Sequence, residues 1–163
     1  MIYPKEYLNS VKEISIELLE KNHIKGLILD VDNTLIDFDK KMPDGVEEWA
    51  QNLKKVGIKL CILSNSNKVD KVKGVADKLE IPFLYFAKKP FKSGFKKAKA
   101  VLGIEAENIA VVGDQIMTDV IGANRSHMFS ILVKPIEEKD YLLTKIKRPL
   151  ERLIIQRYLK KKK

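Results

Sequence analysis

Five short apolar runs, at residues 26–29, 58–63, 83–87, 108–112 and 130–133, alternate along this chain with stretches of helical periodicity. A run of that length with no polar face reads as a strand buried on both sides. Between the runs, Val46, Trp49, Ala50 and Leu53 recur at the spacing of a buried helix face. So do Val69, Val72, Ala76 and Leu79, and then Phe95, Ala98, Val101 and Leu102. Strands alternating with helices of about three turns predict an α/β fold: a parallel sheet of about five strands with helices on both faces. Polar residues follow four of the strands, at Asp30, Ser64, Lys89 and Asp114. They should therefore converge on the carboxyl edge of the sheet, where open α/β sheets bind ligands.

The flanking segments are read from caps and breakers. Leu8, Val11, Ile14 and Leu18 predict an N-terminal amphipathic helix over residues 4–20. Pro43-Asp44-Gly45 marks a turn, and Asp44 with Glu47 has the spacing of a capping box for the helix that follows. Ser64-Asn65-Ser66-Asn67 supplies small polar residues suited to start another. A short helix is expected around Val120–Asn124.

The 163 residues suit one domain with a sizeable core. The single cysteine, Cys61, lies within an apolar run and reads as a small packing residue, not a catalytic thiol. No stretch reaches the ~20 apolar residues of a membrane span and no signal peptide is evident, so a cytoplasmic protein is expected. The net charge of +9 is concentrated in the tail, where residues 144–163 hold nine Lys or Arg and one acid, Glu151. We therefore divide the chain into a domain at 1–143 and a basic amphipathic helix with a lysine tail at 144–163.

The chemistry starts from Asp30-Val31-Asp32. Two carboxylates delivered by a buried strand must be compensated by a metal, a lysine or a shared proton. Phosphoryl transfer would use all of these. Either aspartate can serve as nucleophile while the other moves a proton. Asp114 and Asp119, in Gly113-Asp114-x-x-x-x-Asp119, can add oxygen ligands for Mg2+. Ser64, Asn65 and the following backbone N–H groups can hold phosphate oxygens, and Lys89 can offset the acids. Taken singly, an Asp-x-Asp pair is more often a turn or helix cap than an active site. His23 and His127 have no metal-ligand spacing.

The four motifs in this order resemble the haloacid dehalogenase (HAD) superfamily of aspartate-dependent phosphatases, over residues from about 24 to 135. The resemblance implies a Rossmann-like three-layer fold, Asp30 as nucleophile and Asp32 as general acid/base. It also implies Mg2+ held by the Asp30 carboxylate, the Asp32 backbone carbonyl and Asp114, with Asp119 supporting. Intervals 35–63 and 65–88 are each consumed by one helix and one strand, so no cap domain should be present. Asp30-Val31-Asp32-Asn33-Thr34-Leu35, Ala87-Lys88-Lys89-Pro90, Gly113–Asp119 and Arg148-Pro149-Leu150-Glu151-Arg152 further resemble the capless IIIA group called the YqeG family. That group is similar to mitochondrial phosphatidylglycerophosphate phosphatases, which implies a lipid-borne phosphomonoester as substrate.

An uncapped site suits a phosphate carried on something large or on a surface. Residues 81–104 hold six lysines and no acid, several of them expected near the phosphate site. Ile146, Leu150, Leu153, Ile154 and Tyr158 form an apolar stripe flanked by Lys145, Lys147, Arg148, Arg152 and Arg157. Such a tail can dock on an anionic membrane or pack on the domain. A nucleic-acid partner is disfavoured because no recognition motif or aromatic-basic interleaving is present. The competing class is a non-enzymatic phosphate- or nucleic-acid-binding protein on the same fold.

Overall fold

The computed structural model describes residues 2–137 and 142–163, with the backbone alone for 142–148. Six strands form one parallel sheet: β1 (Glu6–Leu8), β2 (Gly26–Leu29), β3 (Lys59–Leu63), β4 (Phe83–Leu84), β5 (Ile109–Gly113) and β6 (Phe129–Val133). The helices are α1 (Ile16–Lys21), α2 (Val46–Lys55), α3 (Val69–Leu79), α4 (Lys92–Leu102), α5 (Ile121–Arg125) and α6 (Leu142–Lys162). The strand order β1-β6-β5-β2-β3-β4 places β2 at the centre. From β2 the chain winds outward to β3 and β4, then crosses back to β5 and continues to β6. The reversal opens a crevice at the carboxyl ends of β2 and β5.

Alternation along the strands feeds two cores. Leu27, Leu29, Leu60, Ile62, Ala110 and Val112 pack on one face with α1, α2 and α3. Ile28, Cys61, Leu63, Ile109 and Val111 pack on the other with Phe95, Ala98 and Leu102 of α4. Burial pushes the Cys61 thiol up to about 12, in keeping with a packing role. Between β2 and β3 the regular elements comprise α2 alone, and between β3 and β4 α3 alone. The described chain accordingly carries no cap.

Several expectations are corrected. The N-terminal segment is not one helix over 4–20 but β1, a 3-10 turn at Val11–Glu13 and the six-residue α1. Glu6–Leu8 pairs with Ile131–Val133, giving six strands instead of about five. Ser10 and Ser15 divide the segment, each accepting a backbone N–H through its hydroxyl, from Lys12 and Leu18 respectively. Asp44 does not cap α2. Gly45 takes that position at φ +89°, and the Asp44 carbonyl accepts from Lys12 Nζ.

Ser64 and Ser66 bridge β3 to α3 as successive hydroxyl turns instead of capping the helix at Lys68. Val69 and Val101 are exposed, while Val75 joins the core. At the other end, Ile154 of α6 is buried with Ile116 and Leu132 beside Tyr3 and Tyr7, and Tyr158 is buried with its ring against Tyr3, whereas Leu150 and Leu153 are exposed. The expected contributions of Lys145, Ile146, Lys147 and Arg148 lie outside the described side chains. No helix among the described residues is long and apolar enough to cross a membrane.

Candidate active site

Asp30 is the first residue beyond β2, and its N–H donates to Val112 O of β5 at 2.9 Å, fixing the strand end. The chain then closes a tight turn in which Asn33, at φ +63°, donates its N–H to Ile36 O. The side chain of Asn33 reaches across 104 residues, donating to Glu137 O at 2.8 Å and accepting from Glu137 N at 2.9 Å.

Lys89 enters from the loop after β4, with only 3% of its side chain exposed. Its ammonium donates to Asp30 Oδ1 at 2.9 Å and to Asp119 Oδ1 at 2.7 Å. Burial alone would lower the lysine's pKa, but the charges of Asp119 and Asp30 outweigh it and hold it above its ordinary value. For Asp119, burial and the Asp30 charge raise the carboxyl pKa, while Lys89 and the Gln115 N–H pull it down. The ordering is physical: two acids this close are tolerable because a cation lies between them.

Asp114, immediately after β5, is buried. Thr34 Oγ1 lies 3.3 Å from both Asp30 Oδ2 and Asp114 Oδ1, and its one proton can serve either carboxylate at a time. Carboxylate oxygens of Asp30, Asp114 and Asp119 all fall within 4.8 Å of one another. Three hard oxygen donors brought together in this way could hold a divalent cation.

Asp119 is presented by a π-helical turn, Ile116–Val120, that leads into α5. Gly113 makes room for it, because a Cβ there would overlap the Asp119 carboxylate. Gly113→Ala should therefore displace Asp119, costing about 1–3 kcal/mol by overpacking and most of the activity. Urea denaturation and a phosphatase assay on the same preparation check both effects.

Asp32 stands apart from this buried group. Its side chain is 51% exposed and accepts from Lys71 Nζ at 2.7 Å. Ser64 is buried and its Oγ accepts from Ser66 N at 3.1 Å, which leaves the hydroxyl proton to donate. The side chain of Asn65 is engaged by Lys89, which leaves its backbone N–H as the group that could meet a phosphate oxygen. The side-chain amide donates to Lys89 O at 3.2 Å and accepts from Lys89 N at 2.7 Å, bracketing the lysine's own backbone.

The structure thus brings together Asp30, Lys89, Asp114 and Asp119, with Asn65 bonded to the Lys89 backbone, Ser64 buried at the end of β3, and Asp32, two residues after Asp30, open to solvent. Sequence reading assigned no role to Thr34, Lys71 or the Asn33 clasp. Thr34 sits four residues after Asp30 in the motif itself, a signal that could have been used, whereas nothing in the sequence pairs Lys71 with Asp32.

A doubly wound sheet with this acid-lysine group at its switch point defines a phosphatase of the HAD type. Residues 1–137 match the family described as mitochondrial PGP phosphatase, and the chain belongs to that family. It is 38% identical over 153 residues to "Probable phosphatase YqeG" of Bacillus subtilis strain 168, covering 93% of this chain and 88% of that protein. It is 24% identical over 177 residues to phosphatidylglycerophosphate phosphatase 1, chloroplastic/mitochondrial, of Arabidopsis thaliana, covering 98% of this chain and 49% of that protein. The fold is shared with the cobalt-bound deoxy-D-mannose-octulosonate 8-phosphate phosphatase of Haemophilus influenzae, at a TM-score of 0.56 and 20% identity. That match covers 67% of this chain and 68% of the other.

Proposed function

We propose that the protein hydrolyses phosphomonoesters with Mg2+ through a phosphoaspartyl intermediate on Asp30, and that its substrate is lipid-borne, with phosphatidylglycerophosphate the leading identity. The observation that carries this reading is the position of Asp30: half-buried at a strand end, bonded to Lys89, and within 4.8 Å of two further carboxylates. In the first step an Asp30 oxygen attacks phosphorus and the phosphorus–alkoxide bond breaks, while Asp32 gives its proton to the departing alkoxide. In the second, Asp32 takes a proton from water as that oxygen attacks phosphorus, and the bond to Asp30 breaks to release phosphate.

Lys89 stays protonated throughout and holds Asp30 in place. Ser64 donates to a phosphate oxygen, and Asn65 acts by fixing the Lys89 backbone. A divalent cation bound by Asp30 and Asp114, with Asp119 supporting, would neutralise charge building on the phosphate. The lipid assignment draws on the Arabidopsis relative and on the absence of a cap among the described residues.

Purified protein should release phosphate from an aryl phosphate, lose that activity to a chelator and regain it with Mg2+. Activity indifferent to chelation would overturn the metal role. In a panel of lipid, sugar, nucleotide and peptide phosphates, the lipid should show the highest kcat/KM; preference for a small soluble ester would remove the lipid assignment.

A further inference from the structure

Beside the acid-lysine group the structure exposes what a folded domain ordinarily hides. Tyr85, Phe86 and Phe91 are 46%, 55% and 63% exposed, and all three lie within five residues of Lys89. The loop is held firmly: Phe86 N donates to Ser66 O at 2.8 Å and Ala87 N to Ser64 O at 2.9 Å. Phe86 adopts φ +51°, a left-handed conformation that a bulky residue rarely takes. These are fixed projections, not a frayed edge.

Charge along this segment has one sign. Lys88 stacks its ammonium 5.2 Å from the Phe86 ring centre, Lys92, Lys96 and Lys97 follow on α4, and no acid occurs in residues 81–104. A hollow of about 350 Å³ opens between the rings and α4, floored by Leu63, Leu84 and Ala87 and rimmed by Lys88 and Lys97. Contrary to the expectation that the chain carries no aromatic-basic interleaving, exposed rings alternate with lysines here; they match the boundary of an anionic bilayer, where the rings enter the acyl margin and the ammonium groups meet lipid phosphates.

We infer that this aromatic-lysine rim, Tyr85–Phe91 with the first turns of α4, docks the protein on an anionic membrane surface and so presents the active site to phosphate groups there. The inference rests on the lipid-phosphatase reading for its purpose, but not for its measurement. It also relocates the contact from the tail. The α6 end packs through Ile154, Tyr158 donates its hydroxyl to Lys5 O just before β1, at the edge of the sheet opposite β4, and Lys162 pairs with Glu6 at 3.7 Å.

The test is flotation of the full chain with vesicles of phosphatidylcholine, alone or mixed with phosphatidylglycerol. Wild type should bind the mixed vesicles and not the neutral ones. Phe86→Asn/Phe91→Ser, where Asn tolerates the left-handed backbone, should weaken partitioning at least about tenfold. Lys92→Gln/Lys96→Gln should weaken it about fivefold per charge. Lys160→Gln/Lys161→Gln/Lys163→Gln should change it less than about threefold.

Hydrolysis of a soluble aryl phosphate by the ring variant should equal wild type, which certifies its fold; Tyr85→Ser/Phe91→Ser provides a second ring variant. Wild type that ignores anionic vesicles, ring variants that bind as well as wild type, or a tail variant that loses as much as the ring variant would each overturn the inference. Rim-dependent binding without lipid-phosphate hydrolysis would uphold the docking and refute the substrate reading instead.

Discussion

Asp30→Asn should leave a folded protein that turns over roughly 10⁴-fold more slowly or worse, the scale on which enzymes fall when a covalent nucleophile is lost. The amide occupies nearly the same volume but cannot attack phosphorus. The fold should survive because Lys89 retains its 2.7 Å bond to Asp119, and the change removes a negative charge that opposes Asp119 ionisation. Stability should stay within about 1 kcal/mol of wild type. Single-turnover assays and urea denaturation on one preparation decide the matter, and near wild-type turnover in a correctly folded variant would defeat the nucleophile assignment.

Lys89→Met should be the most destabilising of the site substitutions, by about 3–5 kcal/mol in the presence of a chelator. Asp119 is 2% exposed and Asp30 13%, so the water that could replace the ammonium has little access. Methionine fills the space but leaves two carboxylates facing each other. Adding Asp119→Asn should restore a large part of the loss, because the second acid then no longer needs compensation. A double-mutant cycle in urea measures this coupling, and additivity of the two changes would show that the three side chains do not act as a unit.

Much of the site was legible because its chemistry sits at strand ends. Leu27–Leu29, Leu60–Leu63 and Ala110–Val112 announce themselves as runs buried on both faces, and the polar residue that ends each one has to lie at the sheet edge. Edge strands announce themselves poorly. Glu6–Leu8 is three residues long and half-buried, and its Leu8 falls in helical register with Val11, Ile14 and Leu18, so one helix reads where three elements occur. The ladder of β4 ends at Leu84 because Phe86 turns outward, so the apolar letters Tyr85-Phe86 describe a protruding loop instead of a strand, and Ala87 returns to the core.

Side-chain partnerships were least legible of all. The side-chain amide of Asn65 is committed to the Lys89 backbone 24 residues away, a pairing no spacing announces. Asp32 and Lys71 are joined only by the packing of α3 against the sheet. Sequence spacing carries residue type and register, but such pairs depend on tertiary distances that no local pattern encodes.

The clasp between Asn33 and Glu137 bears on how the enzyme comes into being. During synthesis the two acids of the first turn leave the ribosome early, with Lys89 following 59 residues after Asp30 and the backbone partner at 137 last of all. Until that final segment returns to Asn33, the turn that aims Asp30 lacks one of its two ends. Residue 137 lies four residues beyond Val133, so the pairing of β6 with β5 brings it within reach and the clasp can close over a short connection. A nascent chain would therefore hold its acids and its lysine before it held the turn that aims them, and the clasp would arrive together with the last strands of the sheet.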